Sequence, residues 1–171
     1  MIETERLILR QNGLEDFEQA YAIYSDPDVV RHIGNGQPGT RQDVWFRLLR
    51  FVGHWQLLGY GMFAIIEKAS GRMIGETGMA DFKRGLGDDF DPFPEAAWIL
   101  ASDMHGKGYA EEAATAAHRW FEDNRGKQRT VCIIDPPNTA SIRLAEKLGY
   151  RSMGERPFRD STVMMFERQR G

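Results

Sequence analysis

The sequence holds one cysteine, Cys132, so no intramolecular disulfide can form. Its four histidines (His32, His54, His105, His118) show neither an HxxxH nor a Cys/His spacing, and the common metal-binding patterns are therefore missing. No apolar run approaches the roughly 18 residues of a membrane span, and the opening MIETERLILR lacks a basic segment leading into an apolar one. Surplus positive charge is absent too. With a formal net charge of -3, nothing draws the chain as a whole to nucleic acid or an anionic membrane, so any anion must be bound locally. These absences lead us to expect a cytoplasmic protein with no metal and no nucleic-acid or membrane partner. The 171 residues contain no internal repeat, low-complexity tract or linker, which points to one domain spanning 1–171.

What is present alternates in period. RLILRQ reads as a strand, and Leu14, Phe17, Ala20, Tyr21 and Tyr24 follow at helical spacing. Thr40, with Asp43 three residues on, has the form of a capping box opening a helix over 41–58, rich in aromatic residues (Trp45, Phe46, Phe51, Trp55). GMFAIIEKASGRMIGETGMADF reads as a hairpin, KRGLGDDFDPFP as a loop and EAAWIL as the fourth strand. Ala110, Ala113, Ala114, Ala117 and Phe121 then line one face of a helix that stops near Gly126. RTVCII is a fifth strand, and Asn138 is placed to cap a helix closed by Gly149. YRSMGER and STVMMFER finish as two strands. The apolar run STVMMFE is suited to extend a sheet between subunits, which would make a homodimer. The expected architecture is α/β: a mixed sheet of about seven strands with about four helices on both faces.

The stretch DMHGKGYAEEAATAAHRWF carries the chemistry. The first N–H groups of a helix have no partner within it, and its N-terminus is partially positive, so an anion is the natural occupant. Gly106 and Gly108 let the backbone of the turn approach such an anion, and the alanine face lets the helix lie close to the sheet. HGKGYA lacks the GxxxxGK[ST] spacing of a P-loop. It also has Glu111 where a dinucleotide fingerprint needs its third glycine, and it lies past mid-chain.

One strand later comes NTASIRLAEKLGY, residues 138 to 150. The two runs together resemble the GNAT superfamily of acyl-CoA N-acyltransferases, whose turn reads Gln/Arg-x-x-Gly-x-Gly/Ala. Asn138-x-x-Ser141, EKLGY, the opening TERLILR and EAAWIL resemble its Rim-like branch, which acetylates ribosomal-protein N-termini and related acceptors. The resemblance covers nearly the whole chain and implies a mostly antiparallel sheet that splays after the fourth strand. It also implies acetyl-CoA as cosubstrate, bound through its pyrophosphate by the backbone of His105, Gly106, Lys107, Gly108, Tyr109 and Ala110. The pantetheine arm would run beside Ile99, Leu100 and Ala101, with contacts from Asn138, Ser141 and Arg143, and with Lys107 and Lys147 as further charge. An amine acceptor, small molecule or protein N-terminus, would attack the thioester directly. Because an alkyl ammonium has a pKa of about 10 it must first lose a proton, and Glu95 is the candidate base, acting through water; Ser141 is the candidate acid.

The sequence departs from the family pattern at His105, in the Gln/Arg position; at Glu111, where threonine is frequent; and at Ala145, where many members carry a tyrosine acid. A carboxylate at Glu111 suits the free helix end but would repel a phosphate, so it is expected to point outward. Cys132, in an apolar strand, reads as core. Trp45, Trp55 and Tyr60 are candidates to touch the acceptor, and Asp88, Asp89 and Asp91 to attract it. A competing class is a catalytically inactive acyl-CoA-binding or regulatory module with the same fold.

Overall fold

A computed structural model describes residues 1–169. Its sheet has eight strands: β1 (Ile2–Glu3), β2 (Leu7–Gln11), β3 (Met62–Glu67), β4 (Met73–Ala80), β5 (Glu95–Leu100), β6 (Thr130–Ile134), β7 (Arg151–Phe158) and β8 (Ser161–Arg168). They lie in the order β1-β2-β3-β4-β5-β6-β8-β7. Every neighbouring pair is antiparallel except β5 and β6. Five helices accompany them: α1 (Phe17–Tyr24), α2 (Pro27–Val30), α3 (Arg41–Leu58), α4 (Tyr109–Arg125) and α5 (Thr139–Lys147).

The elements missing from the sequence reading are the two shortest. β1 has two residues and α2 has four, too few for a period to show. Leu14 does not join α1. It sits in a 3-10 turn and is 71% exposed, because Asp16 turns back to the Gly13 N–H and to Arg10. The boundaries of α3 are those the capping box implies, with Thr40 and Asp43 bonded reciprocally.

Alternation along the strands sorts the core into two layers. On one face α4 and α5 lay Ala113, Ala114, Ala117, Phe121, Leu144 and Ala145 against Leu9, Phe63, Ala96, Cys132 and Phe166. With only methyl groups over most of its contact stripe, α4 can lie close on the strands. On the other face α1, α2 and the start of α3 cover Ala64, Ile66, Met73 and Ile99, and the 81–94 loop covers Val131 and Met165 with Leu86 and Phe90. Among the described residues no helix is long and apolar enough to cross a membrane.

The strand STVMMFER does not form an edge. β8 is paired on both sides, with β6 and β7, so a route to a dimer by extending the sheet at this strand is closed. The chain saves the outer position for the polar, largely exposed β7 and folds the apolar run inward.

Candidate active site

β5 and β6 share a single registered pair, Glu95 with Val131, and then diverge. Each feeds a helix that starts at the open end: β5 leads through a 3-10 turn into α4, and β6 through Pro136-Pro137 into α5. Between them lies a cleft of about 630 Å³. One wall is α2 with Arg31 and His32, the other the start of α5. The floor is Trp98, Ile99 and Leu100, and the 104–111 turn closes the end.

The turn is built to present amides. Gly106 and Gly108 both take left-handed φ, 74° and 79°, where a Cβ would be strained. Among the described residues no protein acceptor takes the N–H groups of Gly106, Lys107, Gly108, Tyr109 or Ala110; the first intrahelical bond runs from Glu112 N–H to the Gly108 carbonyl. Five adjacent donors therefore face outward at the positive end of a 17-residue helix. Residues far away in sequence hold this conformation from behind. Arg6 donates to the Lys107 carbonyl at 2.9 Å, pairs with Glu112 at 2.6 Å and stacks on the Tyr109 ring at 4.3 Å. The Tyr109 hydroxyl donates to Glu67 at 2.6 Å. Arg6, Glu67 and Glu112 escape sequence reasoning because nothing local ties residue 6 or 67 to residue 109.

His105 folds back on the strand, with Nε2 3.1 Å from the Leu100 carbonyl, which fixes the proton on that nitrogen. Lys107 lies on the Met104 sulfur at 3.9 Å and is not a cleft residue. Arg143 and Lys147 both line the cleft. Glu111 does not point away as expected but lines the cleft, half exposed, and Lys147 pairs with it at 2.7 Å, which offsets the charge that would otherwise oppose an incoming anion.

The strand amides divide by parity. The Ala101 N–H is bonded to the Ile74 carbonyl at 2.8 Å, and the antiparallel register with β4 commits the amides of Ile99 and Ala97 to the same side. The amides of Trp98 and Leu100 point into the splay. Of the residues placed beside the arm, Ile99 offers a side chain to the cleft floor and Leu100 also an amide, while Ala101 is occupied with the sheet.

Across the splay the Trp98 indole N–H donates to the Ser141 hydroxyl at 3.2 Å. A serine that accepts this bond still has its own proton to give. Trp98 was overlooked in the sequence although a signal existed, since a half-buried indole needs a partner for its N–H. Asn138 caps α5, its side chain accepting from the Ser141 N–H at 3.2 Å. His32 and Asp135 meet at 2.5 Å and join the two walls.

Glu95 is neither solvated nor free. It is 4% exposed, at the closed end of the splay, with both oxygens held by Arg84 at 2.7 Å. Burial raises its pKa and the Arg84 guanidinium pulls it partly back. Cys132 is buried, and desolvation pushes its thiol well up. Trp55 and Tyr60 do not reach the cleft. Trp55 packs in the core and donates to the Met62 carbonyl, and Tyr60 packs on Phe121. Trp45 lies edge-on to Phe17 at the surface. Two of the three loop aspartates are tied down, Asp89 by Arg156 and Asp91 by the N–H groups of Gly85 and Gly87, while Asp88 is exposed.

The family model described as the acetyltransferase (GNAT) domain matches residues 6–151. A Bordetella pertussis protein assigned to the GnaT family of acetyltransferases superposes with a TM-score of 0.87 at 34% identity, covering 98% of each chain. A protein from Bacillus licheniformis, the uncharacterized N-acetyltransferase p20, is 29% identical over 154 residues, 88% of this chain and 82% of its own. In fold, the chain is also similar to yncA from Salmonella typhimurium, solved with its cofactor acetyl-CoA, at TM-score 0.69 and 22% identity over 96% of this chain and 94% of that one.

Proposed function

The chain belongs to the acetyltransferase (GNAT) domain family, and from that premise we propose that it transfers an acetyl group from acetyl-CoA to a primary amine by direct attack. The observation that carries this reading is the opening between β5 and β6, with unpaired amides at one end and the Trp98–Ser141 pair across it. The residues present fit the coenzyme. The amides of Gly106 to Ala110 would take the pyrophosphate, Arg143 would add charge from α5, and the side-chain amide of Asn138 would meet the arm. The bound thioester supplies the activated acyl group.

The backbone N–H of Trp98 faces the splay and would polarise the thioester carbonyl, an interaction that strengthens as charge builds on the oxygen of the tetrahedral species. Ser141, already ordered by the Trp98 indole, would protonate the departing thiolate. Glu95 is a remote base: Arg84 occupies both its oxygens, so it serves by drawing a proton from the ammonium through water rather than by contact. Asn138-x-x-Ser141 and the Glu146–Tyr150 run support a place in the branch that modifies protein N-termini, with small metabolic amines as the other acceptor class. The test is thiol release from acetyl-CoA with a panel of peptides and small amines, the product identified by mass. Acetyl-CoA that binds but is never transferred to any amine would favour the inactive binding module.

A further inference from the structure

On the face of the sheet opposite α4 and α5, beside the closed end of the splay, the Phe82–Gly85 segment and the Pro157–Arg159 turn enclose a second hollow of about 350 Å³. Its charged lining is all cationic: Lys83, Arg84 and Arg159. Two aromatic rings support them, Arg84 lying over Phe82 at 4.7 Å and Phe158 at 5.7 Å, and Arg159 over Phe158 at 5.1 Å. Asp81 and Glu95 pair with Lys83 and Arg84 from behind, but Arg159 has no carboxylate partner among the described residues. In a chain of net charge -3 this concentration of cations is a local feature.

The backbone makes the same point independently. Lys83 and Arg159, with φ of 48° and 54°, are the only non-glycine residues at positive φ among those described, and both line this hollow. Arg159 opens the two-residue loop between Phe158 and Ser161, a position where glycine is the unstrained choice. Such outliers cluster at active sites and ligand clamps, where the surrounding structure holds them.

The hollow adjoins the residue proposed as base. Arg84 lines it and bonds that residue, Glu95, directly, on the sheet face opposite α4 and α5. Trp98 and Glu95 are three residues apart on one strand, a span of about 10 Å. We infer that the acceptor carries, besides its amine, an anionic group of carboxylate or phosphate type, which Arg159 and Arg84 bind in this hollow while the amine meets the thioester. The inference rests on the acetyl-transfer reading and names its substrate class.

The test uses the intact protein, acetyl-CoA and three matched acceptor pairs: L-glutamate and glutamine amide, Ala-Glu and Ala-Gln amide, O-phosphoethanolamine and ethanolamine. In at least one pair the acidic member should be preferred by about tenfold or more in kcat/KM, and the pair that responds identifies amino acid, acidic peptide start or phosphate as the source. Arg159→Glu should abolish that preference or invert it. Neutral members that match or exceed their acidic partners in every pair, or a preference that survives Arg159→Glu, would overturn the inference. If no acceptor turns over, calorimetric titration with glutarate and inorganic phosphate decides. Binding that is lost in Arg159→Glu supports the anion site, and no binding of either probe overturns it. A parallel titration with acetyl-CoA shows separately whether the donor site has failed.

Discussion

Replacing Arg84 with methionine should destabilise the protein in a way that depends on pH. The change removes both hydrogen bonds to Glu95, at 2.7 Å each, and leaves a carboxylate that is 4% exposed with no counter-charge. Breaking a buried pair on one side costs about 3–5 kcal/mol. The protein can limit that cost by keeping Glu95 protonated. At 1.36 kcal/mol per pH unit above an unfolded carboxylate pKa of about 4.3, protonation costs about 4 kcal/mol near pH 7.5 and about 1 kcal/mol near pH 5. The folded-state pKa of Glu95 is already raised by burial and rises further without Arg84. Below the unfolded value both states are protonated and the penalty vanishes; it grows as pH rises toward the folded value. Because the native chain, with Glu95 already raised, carries part of that cost itself, urea unfolding at the two pH values should show a loss of about 2–4 kcal/mol at the higher and at most about 1 kcal/mol at the lower, and adding Glu95→Gln should recover most of the former. A loss equal at both pH values, or below about 1 kcal/mol throughout, would refute this account of the pair.

Ser141→Ala should lower kcat by about a hundredfold or more while calorimetry gives nearly unchanged acetyl-CoA affinity; a large loss of affinity with kcat preserved would make the serine a binding residue only. Gly75→Ala should cost about 2 kcal/mol or more by thermal unfolding, because its Cβ would lie 2.2 Å from the Ile99 carbonyl oxygen; a melting temperature like that of the native chain would contradict the register of β4 and β5. Cys132 should resist a soluble thiol reagent until denaturant is added, since it is 1% exposed and burial raises its pKa. Reaction in the folded protein would show that β6 opens readily.

The helix boundaries were legible because they are written locally: Thr40 with Asp43 at one end of α3, Asn138 at the start of α5, the glycines before α4. The position of the splay was legible through the order of the two motifs. Pairing partners were not, and three readings turned on them. STVMMFER looked like an edge because its apolarity shows burial without saying between which strands. Ala101 looked available until the sheet register committed its amide to Ile74. Glu95 looked available as a base and Asp89 as a lure for the acceptor because their cations, Arg84 and Arg156, are recognisable only after folding, the second of them 67 residues away from Asp89. The cationic hollow is of the same kind, since residues 82–85 and 157–159 are brought together by the sheet alone.

The most direct measurement of the central claim is calorimetric titration of the intact protein with acetyl-CoA, coenzyme A, ATP and NAD at one salt concentration. The two coenzyme A ligands should bind with micromolar affinity, about 8 kcal/mol, and ATP and NAD should show no comparable heat. Absence of acetyl-CoA binding, or equal binding of all four ligands, would contradict that claim.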